Sequence, residues 1–209
     1  LSRAQIKKFV EACKKNTGPV LAHVDTVSAA KDLDVIRSAM GDEKLNYLGF
    51  SYGTFLGTTY AALFPDKVGK FVLDGAIDPR VTEAQQSLNQ LKGFDLALNN
   101  YLKDCLKNDS TCPFQGSLSN AKSQVASFLK SMETQTLPTK DGRKLSITSA
   151  TTGLIMALYS DSYWPYLTQA FNEATKSKDG STFIRLADFY NDRDGSGKYA
   201  SNSLEANIA

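Results

Sequence analysis

The chain has 209 residues, of which 42% are hydrophobic and 22% charged, and its formal net charge is +2. This is the composition of a globular protein, long enough for one large domain or for a domain carrying an insertion. Lysines and acids are interspersed without a basic stripe, which argues against a nucleic-acid partner, and no apolar run approaches the ~20 residues that would span a bilayer as a transmembrane segment. The start, Leu1-Ser2-Arg3-Ala4-Gln5, has neither a signal-peptide pattern nor an initiator methionine, so a mature or cut form is expected.

Residues 2–15 place Ile6, Phe9, Val10 and Cys13 on one face of a helix that Asn16-Thr17-Gly18-Pro19 stops. Asp25-Thr26 offers an N-cap for a second helix bearing Ala29, Ala30, Leu33, Ile36 and Met40, with Gly41 where a C′ glycine belongs. A strand over 45–50 follows, then a helix over 53–64 stopped by Pro65, then a buried-strand pattern in Lys70-Phe71-Val72-Leu73-Asp74-Gly75-Ala76. Strand, helix and strand within about 32 residues form a right-handed βαβ unit, so the two strands should be parallel neighbours. Two strands alone leave a parallel sheet uncovered, and the face of Leu45, Tyr47, Phe71 and Leu73 is expected to be exposed unless further segments pair beside it.

Between the first strand and its helix stands Gly49-Phe50-Ser51-Tyr52-Gly53, the pattern G-x-S-x-G. In a nucleophile elbow the turn is so sharp that the serine backbone is strained, and its neighbours must be small because strand and helix backbones crowd them. Gly49 and Gly53 meet that demand, and Gly57 lets the helix lie close to the sheet. Ser51 would then lift its hydroxyl above the sheet edge, with helix N–H groups behind it for a developing oxyanion. The plain alternative is a glycine-rich turn with a bystander serine.

After Asp78-Pro79 the strand signal fades. Residues 82–104, 118–132, 148–160 and 164–176 read as helices, with Pro165 in a first turn; Lys140-Asp141-Gly142-Arg143 reads as a hairpin-type turn, and Ser181 as the cap of a last helix ending near Tyr190. Residues 80–190 are thus a mostly helical block, expected to lie over the C-terminal strand ends. Cys105 and Cys112 have six residues between them at a helix end, a loop that a disulfide closes easily; two free thiols are the alternative. Cys13 is then either a small buried hydrophobe or the partner of a cysteine outside this chain.

Asp25-Thr26-Val27, Ala30-Lys31-Asp32-Leu33-Asp34, Arg37, the run Leu45 to Thr54, Leu56-Gly57, Tyr60-Ala61, Phe64-Pro65-Asp66-Lys67-Val68 and Val72-Leu73-Asp74-Gly75-Ala76-Ile77-Asp78-Pro79 together resemble the secreted tripeptidyl-aminopeptidase family of Gram-positive bacteria. These are α/β-hydrolases related to prolyl aminopeptidases. The resemblance is strong over residues 25–79 and looser beyond, through the Cys105/Cys112 pair, the Asp141-Gly142-Arg143 turn and Asp188-Phe189-Tyr190. It implies an α/β fold, with a partial α/β-hydrolase core over 1–79 and a helical cap over 80–209. It implies an extracellular setting, a peptide substrate, no cofactor and no metal. It also implies a Ser-Asp-His mechanism in which Ser51 attacks a peptide carbonyl and the Tyr52 amide supplies half of the oxyanion hole. The family's Gly-rich oxyanion loop has no counterpart upstream of residue 25, and its acid and histidine come after the cap. The chain is therefore expected to be the middle of such an enzyme, completed by an N-terminal oxyanion-loop part and a C-terminal Asp/His part.

Other candidates are weaker. His23 is the only histidine, but it precedes the nucleophile, against the Ser, acid, His order of this fold. Asp74 ends the second strand, where an acid more often bonds loop backbone than serves a triad. Asp192-Arg193-Asp194-Gly195-Ser196-Gly197 imitates the start of a calcium loop, but Ser203 stands where a bidentate Glu belongs, so no metal site is read there. Tyr159, Tyr163, Trp164 and Tyr166 are read first as cap core and second as pocket lining. Asp161 and Glu173 are acids of the right type for a substrate amino terminus. The reading that results is a serine exopeptidase releasing short peptides from free N-termini. Its rivals are a carboxylesterase with the same elbow and a catalytically incomplete fragment that binds a partner.

Overall fold

The computed structural model describes residues 3–107 and 110–199. The chain divides into two compact units, and the division falls between Gln86 and Ser87, beyond the boundary expected at Pro79.

The first unit begins with helix α1 (Arg3–Thr17) and a 3-10 turn (Gly18–His23). Helix α1 ends where Gly18 turns at φ +66°. Its apolar face is open: Ile6, Phe9 and Val10 are exposed and the free thiol Cys13 is half-buried. Helix α2 (Thr26–Ala39) starts at Asp25, whose carboxylate accepts from the amides of Val27 at 2.9 Å and Ser28 at 3.0 Å. It ends in a Schellman motif. Gly41 stands at φ +77°, its amide donates to Ser38 O, and the Asp42 amide donates to Arg37 O at 3.1 Å.

Strands β1 (Leu45–Phe50) and β2 (Val68–Asp74) pair in parallel through helix α3 (Tyr52–Leu63), as the βαβ pattern predicts. The register slips between Leu45 and Tyr47, and the Asn46 side chain accepts the Lys70 amide there at 2.9 Å. Helix α3 lies on the sheet face of Tyr47, Phe71 and Leu73. A Cβ at Gly57 would stand 2.7 Å from Tyr47 Cε1 and 3.0 Å from Leu73 Cδ2, so only glycine allows this approach. The expectation that this face is exposed is therefore corrected: Leu45, Tyr47, Phe71 and Leu73 are half-buried. It is the opposite face, with Leu48, Phe50 and Val72 each about 60% exposed, that lacks a cover among the described residues.

Helices α2 and α3 are joined by a polar cluster around Asp34. Its Oδ1 accepts from Arg37 Nε at 2.8 Å and from the hydroxyl of fully buried Tyr60 at 3.0 Å. Arg37 also reaches the carbonyls of Asp42 and Glu43, tying the end of α2 to the turn before β1. The Arg37 hydrogen bond holds the Asp34 carboxyl below its ordinary value, assisted by Tyr60 and opposed by burial. A carboxyl whose folded pKa is depressed stabilises the fold above its unfolded pKa of about 3.9, and this contribution is lost as pH falls through the folded value. Urea unfolding of Asp34→Asn should thus lose part of the acid sensitivity shown by the parent below about pH 4. Parallel pH curves for parent and variant would remove Asp34 from the acid transition.

Helix α4 (Glu83–Lys107) begins four residues before the division, and the second unit holds the rest of it with α5 (Leu118–Ser131), α6 (Ile147–Leu158), α7 (Trp164–Asn172), a π turn (Glu173–Ser177) and α8 (Ser181–Tyr190). A two-residue hairpin pair, β3 (Leu137–Pro138) with β4 (Lys144–Leu145), closes through Gly142 at φ +81°. Its core centres on Phe171, whose ring meets Phe114 at 4.8 Å and Phe183 at 5.0 Å edge-on. Gly180, not Ser181, is the N-cap of α8. Ser181 is its first residue, and Asp179 Oδ1 accepts the Ser181 amide at 2.9 Å. Arg143 bonds Asp141 from the turn and Asp188 from α8, with 2.8 Å from Nη1 to Asp188 Oδ1.

Cys105 and Cys112 form a disulfide with Cα atoms 5.2 Å apart, closing the loop between α4 and α5. In the loop-entropy account so short a ring stabilises by roughly 2–3 kcal/mol. The double variant Cys105→Ser/Cys112→Ser should lower the urea midpoint accordingly. An unchanged midpoint would mean that packing of Tyr101 and Phe114, 6.5 Å apart, holds this corner without the bond.

Candidate active site

Ser51 follows strand β1 and is the N-cap of helix α3, with φ 51° and ψ −118°, outside the regions that suit L-residues. The turn is held on both sides. The Ser51 amide donates to Asp74 O at 3.0 Å, at the end of β2, and Ser51 O accepts from the Thr54 amide at 2.9 Å. Thr54, fully buried, is the joint. Its hydroxyl donates to Ser51 O at 2.7 Å and accepts from the Ile77 amide at 2.9 Å, so the turn is bolted to the segment after β2. No motif in the sequence singles out Thr54. A hydroxyl three residues beyond the strained serine, at a helix start, was the available signal.

The glycines serve different ends. A Cβ on Gly49 would lie 2.6 Å from Gly53 O, whereas one on Gly53 would meet only the Tyr47 hydroxyl, at 3.3 Å. That hydroxyl donates to Gly53 O at 2.7 Å and fixes the first turn of α3 from the sheet side.

The Ser51 side chain is exposed and makes no hydrogen bond among the described residues. Helix geometry leaves the amides of Tyr52 and Gly53 without intrahelical acceptors beside it, at the positive end of the α3 dipole. Tyr52 is itself anchored: its hydroxyl and Thr26 Oγ1 share a hydrogen bond of 2.8 Å, which joins the start of α2 to the elbow. A hydroxyl above two free amides can attack a carbonyl carbon while the amides receive the oxygen's charge.

His23 lies exposed at the end of the 3-10 turn, and no hydrogen bond joins its imidazole to Ser51. Asp74 is exposed as well. The expectation that its carboxylate bonds loop backbone is corrected, since its carbonyl makes the bond to Ser51 and its carboxylate makes none among the described residues.

In the helical unit, Trp164 packs edge-on against Tyr101 at 6.0 Å and Tyr163 is half-buried, but Tyr159 and Tyr166 are 57% and 54% exposed, so only part of this aromatic group is core. Asp161, Trp164, Thr168 and Asn172 border a wide cavity of about 1270 Å³. Both Glu173 oxygens are taken, by Gln169 Nε2 and Thr182 Oγ1 at 2.7 Å each. Burial opposes ionisation of Glu173, but these bonds outweigh it and the carboxyl stays below its ordinary value. The 192–197 loop closes on itself, with Asp194 Oδ1 accepting the amides of Ser196 and Lys198 at 2.9 Å, and no cluster of metal-ligating side chains occurs among the described residues. Likewise no described helix is long and apolar enough to cross a membrane.

A parallel βαβ unit with a positive-φ serine between strand and helix defines the class. Residues 11–199 match the model of the alpha/beta hydrolase fold family, and the chain belongs to that family. It is 43% identical to the serine protease Hip1 of Mycobacterium tuberculosis over 98% of this chain and 40% of that protein. It is 40% identical to carboxylesterase B of the same organism, over 94% of this chain and 38% of that protein. A 77-residue stretch, 37% of this chain and 14% of the relative, is 48% identical to the tripeptidyl aminopeptidase of Streptomyces lividans. The chain thus spans 40% or less of the length of these relatives.

Proposed function

We propose that the protein is a serine hydrolase in which Ser51 is the nucleophile and the Tyr52 amide one oxyanion donor. The observation that carries this is the Ser51 backbone: strain of this kind persists only where surrounding bonds impose it, and here four bonds through Asp74, Thr54 and Ile77 do so. The base and the acid come from segments of the same enzyme outside residues 1–209, because His23 makes no bond to the serine and precedes it in the chain. The substrate class is a peptide with a free N-terminus, cleaved through an acyl-enzyme to release tripeptides or other short peptides. The relatives named as a serine protease and a tripeptidyl aminopeptidase support that reading. The disulfide supports an oxidising, extracellular location.

The relative named carboxylesterase B favours a second reading, an esterase with the same elbow. A fluorophosphonate probe on the whole protein tests both at once: it should label Ser51 alone, identified by peptide mass. Comparing kcat/KM for a tripeptidyl anilide and a short acyl ester then separates the two. A higher value for the ester reverses the assignment to peptidase, and label at another serine removes Ser51.

A further inference from the structure

The helical unit holds a second cavity of about 520 Å³, between α5 and the π turn. That volume falls within the range of roughly 300–1,000 Å³ typical of small-molecule sites. Its floor is apolar, built from Phe114, Phe128, Met132 and Leu137. Apart from Lys178 its rim is neutral, and three polar side chains there are committed: Ser131 Oγ donates to Phe128 O at 2.7 Å, Ser123 Oγ to Ser119 O at 3.0 Å, and Gln124 Nε2 to Gln115 O at 2.9 Å. Ser127 is the rim serine whose hydroxyl makes no such bond among the described residues. Among the lining residues Lys178 is the one basic or acidic side chain, and it forms no ion pair among the described residues.

Two backbone features put Lys178 there. The π turn inserts a residue into the helical path after Asn172 and sets Ala174 and Thr175 in the cavity wall. Such turns recur at functional sites. The turn then closes with Lys178 in the left-handed conformation, φ 55° and ψ 31°, its amide donating to Glu173 O. A helix end of this kind ordinarily carries glycine, which avoids the strain. Here the chain keeps a lysine, which is exposed, borders the cavity and forms no ion pair among the described residues.

From this charge complementarity we infer that the cavity binds an apolar molecule bearing a single carboxylate, such as a medium-chain fatty acid. The hydrocarbon lies on Phe114, Phe128 and Met132, and the carboxylate meets Lys178 Nζ beside the Ser127 hydroxyl. A single ammonium balances a monoanion and leaves a phosphate dianion half-neutralised. The inference is independent of the role of Ser51.

The test is calorimetric titration of the whole protein with octanoate, octylamine and 1-octanol. Octanoate should bind saturably and equally well to the parent and to Ser51→Ala, with octylamine and octanol at least about tenfold weaker. Lys178→Gly should lose about tenfold or more in octanoate affinity while its thermal midpoint does not fall, because glycine suits the left-handed backbone. Lys178→Gln should lose as much, and Ser127→Phe should block the site. The proposal is overturned if octanoate does not saturate the parent, if its binding disappears in Ser51→Ala, if octylamine binds as well, or if both Lys178 variants keep parental affinity.

Discussion

Ser51→Ala should reduce kcat of the whole enzyme by about 10⁴–10⁶, with KM for a tripeptidyl anilide little changed. The alanine keeps the Cβ and so keeps the backbone strain at φ 51°, and the turn bonds from Asp74 and Thr54 involve only the Ser51 backbone. The substitution removes one exposed oxygen and little else, so stability should move by less than about 0.5 kcal/mol. Ser51→Gly should be equally inactive yet gain about 1 kcal/mol, because glycine enters this backbone region without penalty. A variant that is more stable and inactive is the signature of strain kept for chemistry. If Ser51→Gly keeps more than a few per cent of the parental kcat, the serine is a bystander and the nucleophile lies elsewhere.

The elbow was legible because its demands are local: a strand run, small residues at fixed offsets and a helix run cannot easily be mistaken for another structure. The caps at Asp25 and Gly41 were legible for the same reason. The disulfide was too, since a ring that short leaves few other partners. What escaped was set by tertiary contact. Residues 45–50 alternate, but both strand faces carry large apolar side chains, and the sequence does not say which face α3 covers. The buried cluster of Asp34, Arg37 and Tyr60 joins residues 26 apart in sequence, with no local signature. The π turn after Asn172 reads as ordinary helix, since its apolar spacing is unbroken until Lys178. Asp74 looked like a residue whose carboxylate would serve the loop, and its backbone carbonyl serves instead.

Gly49→Ala should cost about 3 kcal/mol, the upper end of what overpacking usually exacts, and should lower kcat about 10²-fold as well. The added methyl would sit 2.6 Å from Gly53 O, 2.7 Å from Gly53 C and 2.7 Å from Tyr47 Cε1. None of these is the free end of a side chain. The Gly53 carbonyl belongs to the first turn of α3 and is pinned by the Tyr47 hydroxyl at 2.7 Å, while the Tyr47 ring is packed against Phe71 at 5.3 Å. Relief therefore requires α3 to lift away from β1, and its start carries Ser51 and the amides beside it. Displacement of about 1 Å at a nucleophile is enough for the loss in rate. Gly53→Ala is the control within the same motif. Its methyl would touch only the Tyr47 hydroxyl, at 3.3 Å, and alanine gains up to about 1 kcal/mol over glycine in a helix, so its stability should stay near the parent. The two glycines look alike in the pattern, but one is required by space and the other is not. Equal losses of stability in the two variants, measured by urea unfolding, would show that the helix relaxes freely and that the elbow is not held as tightly as these contacts imply.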